Sequence, residues 1–342
     1  MLKFMSAGES HGECMVAIIE GLPAGLGLDI DFINCELARR QQGYGRGVRM
    51  QIEKDKVKIL SGIKGAQTIG SPVALLIKNK DFKINQLDPI SQPRPGHADL
   101  SGAIKYGFSD MRCVLERASA RETVVRVAAG ALCKLFLREF GISLSSRVIS
   151  VGAEKNTKKI KQKIDLARSR KDSLGGVFEV KAENVPVGLG SYVHYDRRLD
   201  ARLAAVLMSI PAIKGVEFGL GFKVADKFGS QVHDEILYSK TKGFYRKTNN
   251  AGGIEGGMSN SEAIIARCAM KPIATLGNPL STIDLKTKKT VKASIQRSDI
   301  SAVEAAGVIA EAMAAIVLAD CFMERFGQDN MQMIKKNFRT LK

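Results

Sequence analysis

Two histidines set in glycine- and proline-framed turns are the residues of this chain best placed to do chemistry. They are His11 in Gly8-Glu9-Ser10-His11-Gly12 and His97 in Arg94-Pro95-Gly96-His97-Ala98-Asp99. The chain holds four histidines, so two in turns rather than on periodic faces stand out as candidate proton donors or acceptors. Arginines surround them in sequence. Arg39, Arg40, Arg46 and Arg49 lie at the end of a predicted helix and in the glycine-rich turn after it, where guanidinium groups can grip phosphate or carboxylate in bidentate fashion. Arg117, Ser119 and Arg121 sit at the start of another predicted helix, whose free N–H groups and positive dipole end suit a phosphate. Together they describe a reactive site for an anion. Each segment alone also has a plainer reading: a structural histidine, a surface arginine, or a capping box between Ser119 and Glu122.

Other chemistries fit less of the chain. GESHG matches the GxSxG nucleophile elbow, which would make Ser10 the nucleophile of a hydrolase. An elbow needs a strand before it in an established sheet, and the seven residues ahead of Gly8 argue against one. The excess of 52 basic over 35 acidic residues, a net charge of +17, raises polyanion binding as a third reading. Lys155 to Lys171 carries eight basic residues at helical spacing and Lys286 to Lys292 four lysines in a loop-like run, both most simply solvated faces. With no Trp and no nucleic-acid-binding motif, nucleic acid is not expected as a partner.

The elements that must hold these residues follow from periodicity. Strands are predicted at Cys14–Glu20, Val73–Lys78, Val148–Gly152, Val177–Ala182, Gly215–Phe218 and Ile264–Met270. Helices are predicted at Asp29–Gln41 with an aspartate cap, at Ser119–Phe140, at Asp196–Ser209, and at Val303–Phe326, apolar over much of its circumference and hence buried. An echo joins the two halves: Leu22-Pro23-Ala24-Gly25-Leu26-Gly27 and Val185-Pro186-Val187-Gly188-Leu189-Gly190 each precede a helix. Hydrophobic content of 45% is ample for a core, so a globular enzyme is expected. Apolar runs are broken well before bilayer length, no signal-peptide pattern opens the chain, and six scattered cysteines form no CxxC pair. The expectation is a cytoplasmic protein with no membrane contact, no disulfide framework and no metal site.

GESHG, GYGRG, RPGHAD, SARETxxRVAAGA, GGIxGGxSN and KPI-T occur in this order over almost the full chain. That series resembles chorismate synthase. The resemblance implies an α+β fold in one domain over residues 1–342, with helices sandwiched between two four-stranded antiparallel sheets in pseudo-twofold halves, and a homotetramer. It implies conversion of 5-enolpyruvylshikimate 3-phosphate to chorismate by trans-1,4-elimination, assisted by reduced FMN without net redox change. By matching position, His11 would protonate the departing phosphate, His97 would keep the reduced flavin in its protonation state, and Asp299 would work with flavin N5 in removing the C6 proton. Arg40, Arg46, Arg49 and Arg121 would bind substrate, with Arg40 and Arg46 also positions for NADPH as a reductant. Arg117, Ala118, Ser119, Pro211, Ala212, Gly256, Lys271, Pro272, Ile273, Ala274, Thr275 and Arg297 would contact flavin. An external flavin reductase is the alternative source of electrons. The chain departs from the family pattern where Cys113-Val114-Leu115-Glu116 replaces a glycine-rich tract, where Ala118 and Ser261 stand, and where Ser298 replaces a histidine.

Overall fold

Cys14–Glu20 alternates Met15, Ala17 and Ile19 inward with Ile18 and Glu20 outward, the period-2 pattern of a strand with one dry face. It is β2 of a sheet formed by β1 (Lys3–Ala7), β2, β3 (Val57–Ile59) and β4 (Val73–Lys78), in the order β1-β2-β4-β3 and antiparallel throughout. A second sheet uses β5 (Ser143–Val151), β6 (Gly176–Glu183), β7 (Ile213–Phe218) and β8 (Ile264–Met270) in the equivalent order β5-β6-β8-β7. The computed structural model describes residues 1–47, 52–296 and 298–340.

The longer helices among the described residues are α1 (Ile30–Gln41), α2 (Asp99–Tyr106), α3 (Arg112–Ala118), α4 (Thr123–Arg138), α5 (Thr157–Ser169), α6 (Leu199–Met208), α7 (Val303–Phe326) and α8 (Met331–Arg339). Helices α1 and α4 with α6 and α7 fill the space between the sheets: α4 packs on β2 and β4, α7 on β5 and β6, and α4 on α7 at the centre. At that crossing a Cβ on Gly130 would lie 2.4 Å from the Cβ of Ala312, so glycine sets the approach. Helix α7 is long and apolar enough to cross a membrane by composition, but it is buried inside the protein as the central core helix. Its fully buried Glu311 accepts from Lys134 (2.5 Å), Arg39 (2.8 Å) and Ser146 (2.6 Å), while Glu36 also pairs with Arg39 and Lys134. Two cations and two carboxylates thus tie α1, α4 and α7 without leaving a buried charge unanswered.

The echo between the halves is structural down to single atoms. Thr68 Oγ1 accepts from Leu26 N (2.9 Å) and donates to Pro23 O (2.5 Å), while Ser259 Oγ accepts from Leu189 N (2.8 Å) and donates to Pro186 O (2.5 Å). In each half the second strand of a two-strand hairpin, Ile63–Thr68 or Ile254–Ser259, clamps the Pro-Gly turn that launches α1 or α6. The two halves are pseudo-symmetric copies of one strand–strand–turn–helix–strand–strand–helix unit.

Several boundaries differ from the sequence reading. A strand, β1, does precede Gly8. Its alternation is short and half-exposed, as suits a sheet edge, and it continues into a hairpin with β2 rather than into a helix. The segment expected as one helix from Ser119 begins as a 3-10 turn at Ala120–Glu122, and α4 starts at Thr123. The capping box is not formed: Ser119 Oγ accepts from Arg121 N, while the Glu122 carboxylate accepts from Ser6 and Arg126. The helix expected from Asp196 starts at Leu199 after a 3-10 turn, and the lysine run 286–292 closes a hairpin of Ser281–Ile283 with Thr290–Lys292.

Candidate functional site

The GESHG segment is the β1–β2 turn, and its shape is imposed by close backbone. Gly8 sits at φ +112°, where a Cβ would lie 2.4 Å from Cys14 O. The turn is docked on α3: Ser10 N donates to Glu116 O (2.9 Å), His11 N to Glu116 Oε2 (2.7 Å), and Arg117 reaches Gly8 O and Ser6 O at 3.0 Å. The His11 ring meets Glu116 Oε1 through Nδ1 at 2.9 Å, while Nε2 lies 3.6 Å from Asp81. Ser10 is buried and its Oγ accepts from Ser119 Oγ (3.1 Å). A strand–turn–strand is not the strand–turn–helix that exposes an elbow serine, so the hydrolase reading loses its geometry. The RASARET segment is likewise not an open helix end. Arg117 and Ala118 close α3, and Glu122 N and Thr123 N bond back to the carbonyls of residues 119–121.

The arginine turn converges on the same region. Tyr44 anchors it, its hydroxyl donating to Asp165 of α5 at 2.8 Å between Lys161 and Arg168, both of which lie over the ring. Gly45, at φ +93°, packs on Ile164 and Ser301. Arg46 then pairs with Asp299 (2.8 Å), and Gly47 N donates to the other Asp299 oxygen (2.6 Å). Arg40 is buried, with Nε on Thr123 Oγ1 and Nη2 on Ala120 O, both at 3.0 Å, and Nη1 3.6 Å from Asp55 Oδ2. Among the described residues neither Arg40 Nη1 nor Asp55 Oδ2 has a hydrogen-bond partner. Burial pushes the Arg40 guanidinium down to about 9, against the pull of Asp55 and with help from Arg121 and Arg46. Burial lowers Arg46 too, while Asp299 and Glu304 support its charge. Arg121 is enclosed, donating to Asp55 (2.7 Å) and Asn79 (2.8 Å) with Glu53 at 3.7 Å.

RPGHAD forms a tight turn into α2, with Gly96 at φ +78°. His97 Nδ1 meets Asp99 Oδ1 at 2.6 Å; Arg94 Nε donates to Asp99 Oδ2 (2.8 Å) and Nη1 to Thr275 Oγ1 (2.7 Å). Burial of Asp99 opposes its charge, but hydrogen bonds from His97 and Arg94 hold the carboxyl well below the usual range. Lys271 Nζ donates to Gly96 O and Lys271 N to Ala212 O, both at 2.9 Å, with Ala212 in the left-handed region at φ +71°. Burial, with Lys214 nearby, lowers the Lys271 ammonium. Residues 94–99, 211–212 and 271–275 therefore form one cluster. It connects to the Arg46–Asp299 pair through Ser173 Oγ to Ile273 O (2.7 Å) and Leu174 N to Ile300 O (2.8 Å).

Gly256 is not brought there. It tips the hairpin before β8, beyond the Ile264 end, whereas Lys271 follows the Met270 end, a strand length of about 20 Å away. Arg49 and Arg297 lie outside the described residues. The basic run Lys155 to Lys171 is largely exposed helix surface, as its spacing predicted. Sequence reasoning did not assign Glu116, Asp99 or Asp55, the carboxylates that hold His11, His97 and the paired arginines. Asp99 had a signal as the acid of the histidine motif, whereas Asp55 stands among charged neighbours in Glu53-Lys54-Asp55-Lys56 and Glu116 beside Arg117, where an acid reads as surface charge.

Comparison with known proteins agrees with this arrangement. The family model described as chorismate synthase matches residues 2–323. Chorismate synthase of Caldanaerobacter subterraneus subsp. tengcongensis is 54% identical over 342 residues, covering 99% of this chain and 98% of the relative. That of Thermoanaerobacter pseudethanolicus is 55% identical over 340 residues, covering 98% and 97%. A crystal structure of chorismate synthase superposes with a TM-score of 0.82 at 44% identity, covering 99% of this chain and 97% of the other. Family model, relatives and fold all concur with the order of motifs around the two histidines, and the chain belongs to the chorismate synthase family.

Proposed function

We propose that this chain converts 5-enolpyruvylshikimate 3-phosphate to chorismate, eliminating the 3-phosphate and a C6 hydrogen in trans-1,4 fashion. The family implies a reduced flavin, for which we propose FMN. The observation that carries the reading is the convergence of His11, Arg40, Arg46 and Asp299, from three separate stretches of chain, around the buried start of α4. Loss of phosphate from an allylic carbon needs cations and an acid at the leaving group and a base at C6. Arg40 and Arg46, with Arg49, receive the anionic groups; His11 protonates the departing phosphate; Asp299 serves removal of the C6 proton. Arg121, enclosed by Asp55 and Asn79, holds Arg40's surroundings in place.

The donor set fits the flavin. A lysine, a threonine hydroxyl and a strained alanine turn meet at Lys271–Thr275 and Pro211–Ala212, beside His97, and offer cation, hydroxyl and backbone donors to a phosphate-bearing ring system. Arg117, Ala118 and Ser119, with Arg297, would contribute from their own segments. Bound reduced flavin would supply electron density to the ring as phosphate leaves, and His97 would hold its protonation state. Gly256, at the far end of β8, suits a flavin site completed by a second copy in a homotetramer. NADPH at Arg40 and Arg46, or an external reductase, would keep the flavin reduced, in the cytoplasm. Anaerobic turnover with dithionite-reduced FMN tests the assignment: His11→Ala and His97→Ala should each lower it about 10- to 1000-fold while the fold persists. Wild-type rates in either variant would remove that histidine.

A further inference from the structure

The tract Arg112-Cys113-Val114-Leu115-Glu116-Arg117-Ala118 folds as α3 and turns Leu115 and Glu116 inward. Leu115 joins a small core with Ile90, Ala103 and Met111, which fixes the helix, and Glu116 then faces the β1–β2 turn with 2% of its surface exposed. Three hydrogen bonds register the two segments: Ser10 N to Glu116 O, His11 N to Glu116 Oε2, and His11 Nδ1 to Glu116 Oε1 at 2.9 Å. The carboxylate cannot swing away from the ring without abandoning a backbone N–H in a buried place, which is costly. Burial opposes the charge on Glu116, yet the bonds from His11's ring and backbone, with Arg112 nearby, keep its carboxyl below the ordinary value. An ionised carboxylate only accepts, so the hydrogen in this contact sits on Nδ1.

We propose that Glu116 is a positioning residue for His11: it fixes the ring with Nδ1–H toward the carboxylate and leaves Nε2 as the nitrogen that handles the reacting proton. The inference rests on the reading of His11 as proton donor to the departing phosphate. In that step the imidazolium gives its Nε2 proton to a phosphate oxygen, and the ring remains as the neutral Nδ1–H form already held by Glu116. On the Nε2 side Asp81 stands 3.6 Å away and pairs with Lys83 at 2.8 Å. This chain supplies a buried orienting acid at Glu116, a device that binds the tautomer of the proton donor to the folding of α3.

Two-bond 1H–15N correlation spectra of the intact protein labelled at histidine nitrogen, with His11 assigned by its loss in His11→Ala, read the tautomer directly. The expected result is Nδ1–H on neutral His11 in the wild type and a mixture of tautomers in Glu116→Gln. Turnover of Glu116→Gln should fall about 10- to 100-fold in kcat with KM within about threefold. Added to His11→Ala it should cost less than about twofold more, because its effect passes through the ring. An Nε2–H tautomer in the wild-type protein would overturn the inference without any variant, as would normal kcat in Glu116→Gln or fully multiplicative losses in the double variant. If His11→Ala alone turned over normally, the reading of His11 would fall, whatever tautomer Glu116 selects.

Discussion

The Asp299 carboxylate bridges Arg46 and the backbone of Gly47, one oxygen 2.8 Å from the guanidinium and the other 2.6 Å from the amide. It does not cap α7, whose N-cap position is Ala302 with no side-chain bond. Asp299 therefore belongs to the arginine turn rather than to the helix it precedes. Asp299→Asn should bind reduced FMN and substrate, keep its melting temperature within a few degrees, and turn over slowly with a C6 deuterium isotope effect at least as large as wild type. Normal turnover in steady-state assays would remove it from the mechanism.

Arg46 is mostly buried against that carboxylate, while Lys159 on α5 is exposed. A desolvated contact to phosphate is worth more than a solvated charge, so Arg46→Ala should raise the substrate Kd at least tenfold, against about twofold or less for Lys159→Ala. Calorimetric titration of both variants makes the comparison. Equal, small effects would place the arginine turn outside the substrate site.

Asp99 gathers His97 and Arg94, and its proton affinity is lowered in the folded state. Such a group contributes stability above its unfolded value, near pH 4, and that contribution is lost as pH falls toward the folded value. Asp99→Asn should cost about 1–3 kcal/mol at pH 7 and less at pH 3. Urea unfolding at the two pH values measures it, and an equal loss at both would deny the charge linkage.

Gly130→Ala tests the crossing of α4 and α7. Alanine gains about 1 kcal/mol of helix propensity over glycine in a helix interior. Here its Cβ would sit 2.4 Å from Ala312 Cβ and 2.5 Å from Ala312 Cα, and backbone must move to admit it. Overpacking of this kind costs about 1–3 kcal/mol or more and outweighs the gain. Thermal unfolding should show a lower melting temperature; a rise would mean the helices separate freely.

What was legible in the sequence follows from where each signal is stored. Local signals read well: Asp29 caps α1 by accepting from Phe32 N, and Cys14–Glu20 and Ile264–Met270 have the expected bounds. Edge strand β1 was missed because its Lys-Phe-Met-Ser-Ala pattern carries no strong apolar face. Ser119 misled because its hydroxyl found Arg121 N and Ser10 instead of completing a box with Glu122. Non-local pairing was invisible. Glu116 finds His11 across 105 residues and Glu311 finds Lys134 across 177, so a buried acid reads in sequence as an anomaly until the fold supplies its partner.

The central claim is an elimination that uses reduced flavin without consuming it. The most direct measurement is the yield of phosphate and chorismate in an anaerobic reaction with reduced FMN at enzyme concentration and excess 5-enolpyruvylshikimate 3-phosphate, followed to completion. The account predicts one chorismate per phosphate, in amounts far above the flavin present, with the flavin still reduced at the end. Product capped at the amount of flavin, or phosphate released without chorismate, would contradict it.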